Sequence, residues 1–131
     1  MGKNNQNDGS LKAGVAKDII TPPIGTPLAG YAFKKESSVG IHDELYVRAL
    51  VLEQEKTRVA LAVSDVIGFE RSLVEKIRTM VEDRVGIPKK NVMVAATHTH
   101  AGPVGLFGFK EYKGVFHSVS GAYMGDKLDK A

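Results

Sequence analysis

The sequence predicts an α/β fold, a partial mixed sheet made of a hairpin and a βαβ unit. Three observations carry this. Leu45 to Glu53 and Thr57 to Val66 are apolar-rich runs separated by the polar triplet Gln54-Glu55-Lys56, the pattern of a hairpin. Glu70 to Val85 places Leu73, Val74, Ile77, Met80, Val81 and Val85 at three- and four-residue steps, the stripe of a core-facing helix. The run Asn91 to Thr97 follows as a third strand, and strand–helix–strand connections of this kind are right-handed crossovers between parallel strands.

Taken in order, residues 1–10 hold almost nothing to bury and are expected to be a disordered tail. Leu11 to Ile20 should contain a short strand, with Val15, Ile19 and Ile20 in the core. Thr21 to Pro27 contains three prolines, which fix φ and remove donors, so a stiff loop outside any sheet is expected. Lys34 to Gly40 is charged and serine-bearing, the composition of a mobile loop. Leu45 to Glu53 is apolar at nearly every position, which suits a strand covered on both faces. In the helix, Glu70 falls in the first turn, where a negative charge suits the dipole, and Gly86 with Pro88 just beyond forms the stop. Ser120 to Ala131 reads as the start of a second helix, with Tyr123, Met124 and Leu128 on one side.

Composition narrows the function. The chain has 131 residues, 43% hydrophobic and 25% charged, with a formal charge of +3, ordinary for one soluble globular domain or less. Lysine and arginine are scattered rather than clustered, so nucleic acid is not indicated. Cysteine is absent, which excludes disulfides and thiolate metal sites. No secretory signal and no bilayer-length apolar run is found, so a cytoplasmic location without a transmembrane segment is expected.

The chemistry concentrates in Thr97-His98-Thr99-His100-Ala101-Gly102-Pro103, at the end of the third strand. On a strand, residues i and i+2 share a face, so His98 and His100 would stand roughly 6.6 Å apart at their bases. Two imidazoles so placed can converge on one cation; the same spacing also suits a solvated pair of strand-end histidines. Glycine and proline then end the strand. Asp65 closes the second hairpin strand, beside His98 if the strands are parallel, and could orient a metal-bound histidine or cap its own turn. His42-Asp43 fits a relay, a metal shell or a surface turn. His117 has no supporting pattern, Ser64 lacks a nucleophile elbow, and the glycines at 102, 105 and 108 lack the rest of a phosphate loop.

Several stretches together resemble the amino-terminal region of the neutral/alkaline non-lysosomal ceramidase family. They are Ala13-Gly14-Val15-Ala16 with Asp18-Ile19 and Thr21-Pro22, Ala29-Gly30-Tyr31, Gly40-Ile41-His42-Asp43, Leu45 to Ala49, Val63-Ser64-Asp65 and the 97–103 motif. Their order and spacing make the match specific. Ala101 stands where the family motif usually has Ser, the first motif carries an extra Ile, and 42–46 looks closer to the shorter bacterial members.

The resemblance implies a zinc-dependent amidohydrolase that cleaves the N-acyl bond of ceramide or a related lipid amide. It implies that His98 is a zinc ligand and that His100, beside the metal, contacts the substrate or its transition state. The family's other ligands, a His, a Glu and a Tyr, lie further downstream, so residues 11–131 are expected to be the amino-terminal part of a larger α/β hydrolytic domain, truncated here. Self-association through an exposed sheet edge is then expected. Alternatives from other classes are a catalytically inactive α/β fragment and a small metal-binding module completed by oligomerisation.

Overall fold

The computed structural model describes residues 9–30 and 37–103. Strand β1 (Lys12–Ile19), strand β2 (Tyr46–Gln54) and strand β3 (Thr57–Ser64) precede helix α1 (Arg71–Val85), and strand β4 (Val92–Ala96) follows. They form one mixed sheet in the order β1-β2-β3-β4. The first two pairings are antiparallel and the third is parallel, with Ser64 beside Ala96. The hairpin and the βαβ unit are thus both present. The tail over residues 1–8, the Lys34 end of the charged loop, His117, the glycines at 105 and 108 and the Ser120 to Ala131 helix lie outside the described residues.

Register explains how the sheet meets its helix. Val47, Ala49 and Val51 share one face with Ala60, Ala62, Ser64, Val92, Val94 and Ala96. Four of these nine are alanines, which let a helix approach closely. Leu73 of α1 packs with Val47 and Ala96 onto the buried pair Ile20 and Val66, and the Arg78 Nε donates to the Val92 carbonyl at 3.0 Å. Ile77 is the buried centre of the helix stripe. The stop is as expected: Gly86 adopts φ 67° and donates its N–H to Glu82 O. Glu70 is one residue outside the first turn, in the cap position, and its side chain makes no cap hydrogen bond.

The burial expectations need correction. Val15 is 82% exposed and Ile19 40%, leaving Ile20 as the one core residue of that segment. Val85, assigned to the helix stripe, is exposed at its end. No residue of β2 is fully buried. For the strand residues the cause is the sheet's second face, where Val15, Leu50, Leu61 and Met93 stand side by side across all four strands. Helix α1 lies on the other face, and no described helix covers this one. Both-sided apolar character gave the strand correctly but not its cover. Among the described residues no helix is long and apolar enough to cross a membrane.

Candidate functional site

The parallel pairing of β3 and β4 sends both chains out at one edge of the sheet, and contacts between them continue past the strands. Thr97 N–H donates to Ser64 O and His98 N–H to Val66 O, each at 3.0 Å. At His98 the backbone turns into the left-handed region, with φ 64°. Histidine tolerates this better than most residues, at roughly 1–2 kcal/mol. His98 and His100 are therefore not strand residues, and the i, i+2 pleat is not what relates them. The turn still brings them together: their ring centroids are 5.2 Å apart, edge to face at 70°.

One ring is oriented by a backbone carbonyl. Nδ1 of His98 lies 2.8 Å from Ile67 O. A carbonyl oxygen only accepts, so Nδ1 carries the hydrogen, and the neutral ring keeps its lone pair on Nε2. This is how proteins usually fix an imidazole for a metal. His98 is an exposed residue. Residues 27–30 lie against the same turn: Ala29 N–H donates to Gly102 O at 2.9 Å, and Leu28 bridges to Pro103. Gly102 is confined as well, because a Cβ there would sit 3.2 Å from Asp65 O and 3.3 Å from Thr99 Cγ2.

Asp65 acts as a strut. Its N–H donates to Tyr46 O at 2.8 Å, and its Oδ2 accepts from Tyr46 N–H at 3.0 Å and from Arg48 Nη1 at 2.8 Å. The Thr97 hydroxyl is a further partner. Burial pushes the carboxyl up, but Arg48, the Tyr46 N–H and Thr97 together outweigh it and hold the group below the ordinary carboxylate value. Asp65 thus ties β2 to the residue before His98. The contacts described for its carboxylate run to Tyr46, Arg48 and Thr97, so what it does here is brace the strand end from which the histidine turn departs.

A recess of about 820 Å³ opens beside the turn, lined by Thr21, Pro22, Leu28, Ile41, Thr99 and Ala101, with His42 and Asp43 at its edge. Thr99 and Ala101 face this recess, while His98 and His100 do not line it. His42 Nδ1 and Asp43 Oδ2 are 2.7 Å apart, with side chains 97% and 86% exposed. The hydrogen bond to Asp43, and then its charge, raise the His42 pKa above its ordinary value. The pair is exposed and lines the recess together with Thr99 and Ala101, the residues on either side of His100.

Sequence reasoning missed Tyr46, Arg48 and the Ile67 carbonyl as parts of the site. Hairpin register could have found the first two, since the turn is Glu55-Lys56 alone and Gln54 pairs with Thr57. Counting back from that pair places Tyr46 opposite Asp65. The Ile67 carbonyl carries no sequence signal, because any residue supplies one. Among the described residues no group of three or more His, Cys, Asp or Glu side chains could hold a metal ion. His98 can supply one ligand, with His100 beside it.

A family model described as neutral/alkaline non-lysosomal ceramidase, N-terminal, matches residues 11–119. A neutral ceramidase of Drosophila melanogaster is 35% identical over 105 residues, covering 74% of this chain and 14% of the relative. The neutral ceramidase of Mycobacterium tuberculosis is 29% identical over 109 residues, 79% of this chain and 17% of its own length. The crystal structure of neutral ceramidase from Pseudomonas aeruginosa superposes with a TM-score of 0.63 at 29% identity, covering 72% of this chain and 16% of that one. The chain therefore spans about one seventh of the length of the first of these relatives.

Proposed function

The chain belongs to the neutral/alkaline non-lysosomal ceramidase family, and from that premise we propose that residues 11–131 form the amino-terminal part of the catalytic domain of a zinc-dependent amidohydrolase. Its substrate is ceramide or a related lipid amide. The observation that carries the reading is the fixed tautomer of His98, whose Nδ1–H is bound to Ile67 O, which leaves the Nε2 lone pair for a metal, with the ring of His100 beside it. The donor chemistry fits zinc: a neutral imidazole with its second nitrogen anchored is a standard ligand for that ion.

Amide hydrolysis adds one water across the N-acyl bond. The carbonyl carbon gains the hydroxyl, the C–N bond breaks, and the departing amine takes a proton, leaving a fatty acid and a free amino lipid. Zinc, when bound, polarises the carbonyl and acidifies the attacking water. His98 would hold the metal through Nε2. His100 offers a hydrogen bond where negative charge develops on the carbonyl oxygen, the position at which a fixed donor is most effective. Asp65, through Thr97 and the β2 backbone, keeps the turn from relaxing. Among the described residues β1 is an edge strand, and pairing along that edge would let the isolated chain self-associate.

A chimera tests this, with residues 11–103 replacing the matching segment of the Pseudomonas aeruginosa enzyme. Fatty acid release from a short-chain fluorescent ceramide is measured after chelation and after zinc is restored. The expected result is zinc-dependent turnover that His98→Ala abolishes in a chimera still folded by circular dichroism. Undiminished turnover by the folded His98→Ala chimera would sink the assignment. Turnover of other N-acyl amines but not ceramide would move the substrate class.

A further inference from the structure

Gly30 stands where two independent constraints meet. Its φ of 86° lies in the region that side chains rarely adopt, and a Cβ built on it would lie 2.4 Å from Cγ of His100, 2.5 Å from its Nδ1 and 2.9 Å from its Cβ. Ordinary contact with a carbon needs 3.4 Å or more. The His100 imidazole thus rests directly against the backbone at position 30. The segment cannot easily withdraw. Ala29 is buried and donates to Gly102 O, and Leu28 bridges to Pro103, so residues 28–29 are tied to the chain two and three residues after His100.

We propose that Gly30 is a positioning residue for His100: the absent side chain at position 30 is the seat of the imidazole, and it sets the ring's placement against His98. Any side chain at 30 drives the ring off this seat. Gly25 shows that the seat is distinct from the backbone requirement. Its φ is 93°, nearly that of Gly30, yet a Cβ there would meet nothing within 4 Å. One glycine is needed for its conformation alone; the other is needed for conformation and for space. The catalytic consequence, a misplaced His100, rests on the function proposed above, but the seat itself does not.

The test uses the 131-residue chain with Gly30→Ala, Gly25→Ala, His100→Ala and the double change Gly30→Ala/His100→Ala. Two readouts are taken without metal: the His100 ring signals in long-range proton–nitrogen NMR spectra, with their Overhauser contacts to residue 30, and the thermal midpoint. The wild-type chain should show a contact between the Gly30 Hα protons and the His100 ring. Gly30→Ala should shift the His100 ring signals and lower the midpoint more than Gly25→Ala does. Adding His100→Ala should then return part of the loss, to about the Gly25→Ala value, because the overlap is gone. If Gly30→Ala alone does not fold, folding of the double variant carries the same meaning. The proposal is overturned if Gly30→Ala leaves the His100 signals in place, or if removing His100 restores nothing. Zinc enters neither readout, so failure here and failure of the proposed activity are separate results.

Discussion

At the carboxyl ends of β3 and β4 the chain is fixed by polar contacts across a turn, whereas β1 is held by its ladder to β2 and by surface contacts such as Lys12 with Glu53 and Lys17 over the Tyr46 ring. The first region holds a non-glycine residue at positive φ, a carboxylate with partners on both sides, and a loop tied across by Ala29 and Leu28. The second keeps regular register over eight pairs from Lys12–Glu53 to Ile19–Tyr46, yet its one mid-strand apolar side chain larger than alanine, Val15, is 82% exposed. Regular strand structure and burial are therefore separable properties of this sheet. Unfavourable backbone geometry persists where neighbours over-determine it, and that is where the histidines cluster.

The sharpest way to break the comparison is to remove the strut. Asp65→Ala leaves the Tyr46 N–H and Arg48 without their acceptor. The Asp65 side chain is only 17% exposed, but Arg48 is 49% exposed, so the ion pair itself is screened. A loss of about 1 kcal/mol is expected, chiefly from the part-buried Tyr46 N–H left without its side-chain acceptor, measured by urea unfolding. A loss below about 0.5 kcal/mol, the range of ordinary surface changes, would place the turn's rigidity elsewhere.

A milder perturbation uses pH. The folded-state pKa of Asp65 is depressed, so its stabilisation is fully present above the unfolded value, about 3.9, and is lost as pH falls through the folded value. Asp65→Asn should flatten that acid limb of the stability curve. An unchanged acid limb would mean that the Arg48 and Tyr46 contacts do not persist in solution.

On the β1 side the expected effects shrink. Val15→Lys should alter stability by less than about 0.5 kcal/mol, as at other exposed positions, while reducing any concentration-dependent sedimentation of the chain. A large destabilisation would show that this face is covered in solution. The smallest effect is at His42. Its pKa is raised by Asp43, so any stabilisation is present below the unfolded pKa, near 6.5, and fades as pH rises through the folded one. NMR titration should find the raised value, and Asp43→Asn should return it to normal with little change in the thermal midpoint.

Much of this was legible in the sequence, for identifiable reasons. The stripe from Leu73 to Val81 and the Gly86 stop fix α1, and the helix between two apolar runs fixes the parallel pairing of β3 with β4. Reading the hairpin turn as Gln54-Glu55-Lys56 rather than Glu55-Lys56 shifted the register by one, which hid the Tyr46–Asp65 pairing. The proximity of His98 and His100 followed from a pleat argument, although the chain achieves it through a left-handed turn. Val15 and Ile19 were misjudged because apolar residues in a strand disclose a ladder, not what lies above it. Gly30 could not be read at all, since its meaning depends on a ring seventy residues away.

The central claim is that the polar-fixed turn presents Nε2 of His98 to zinc. The direct measurement is a zinc titration of the chain followed by long-range proton–nitrogen NMR of its four histidines. The account predicts that His98 carries its hydrogen on Nδ1 before zinc is added, and that zinc moves the Nε2 signal of His98 first. In the Asp65→Ala variant the same shift should need more zinc. A His98 ring protonated on Nε2, or zinc shifts confined to the other histidines, would contradict it.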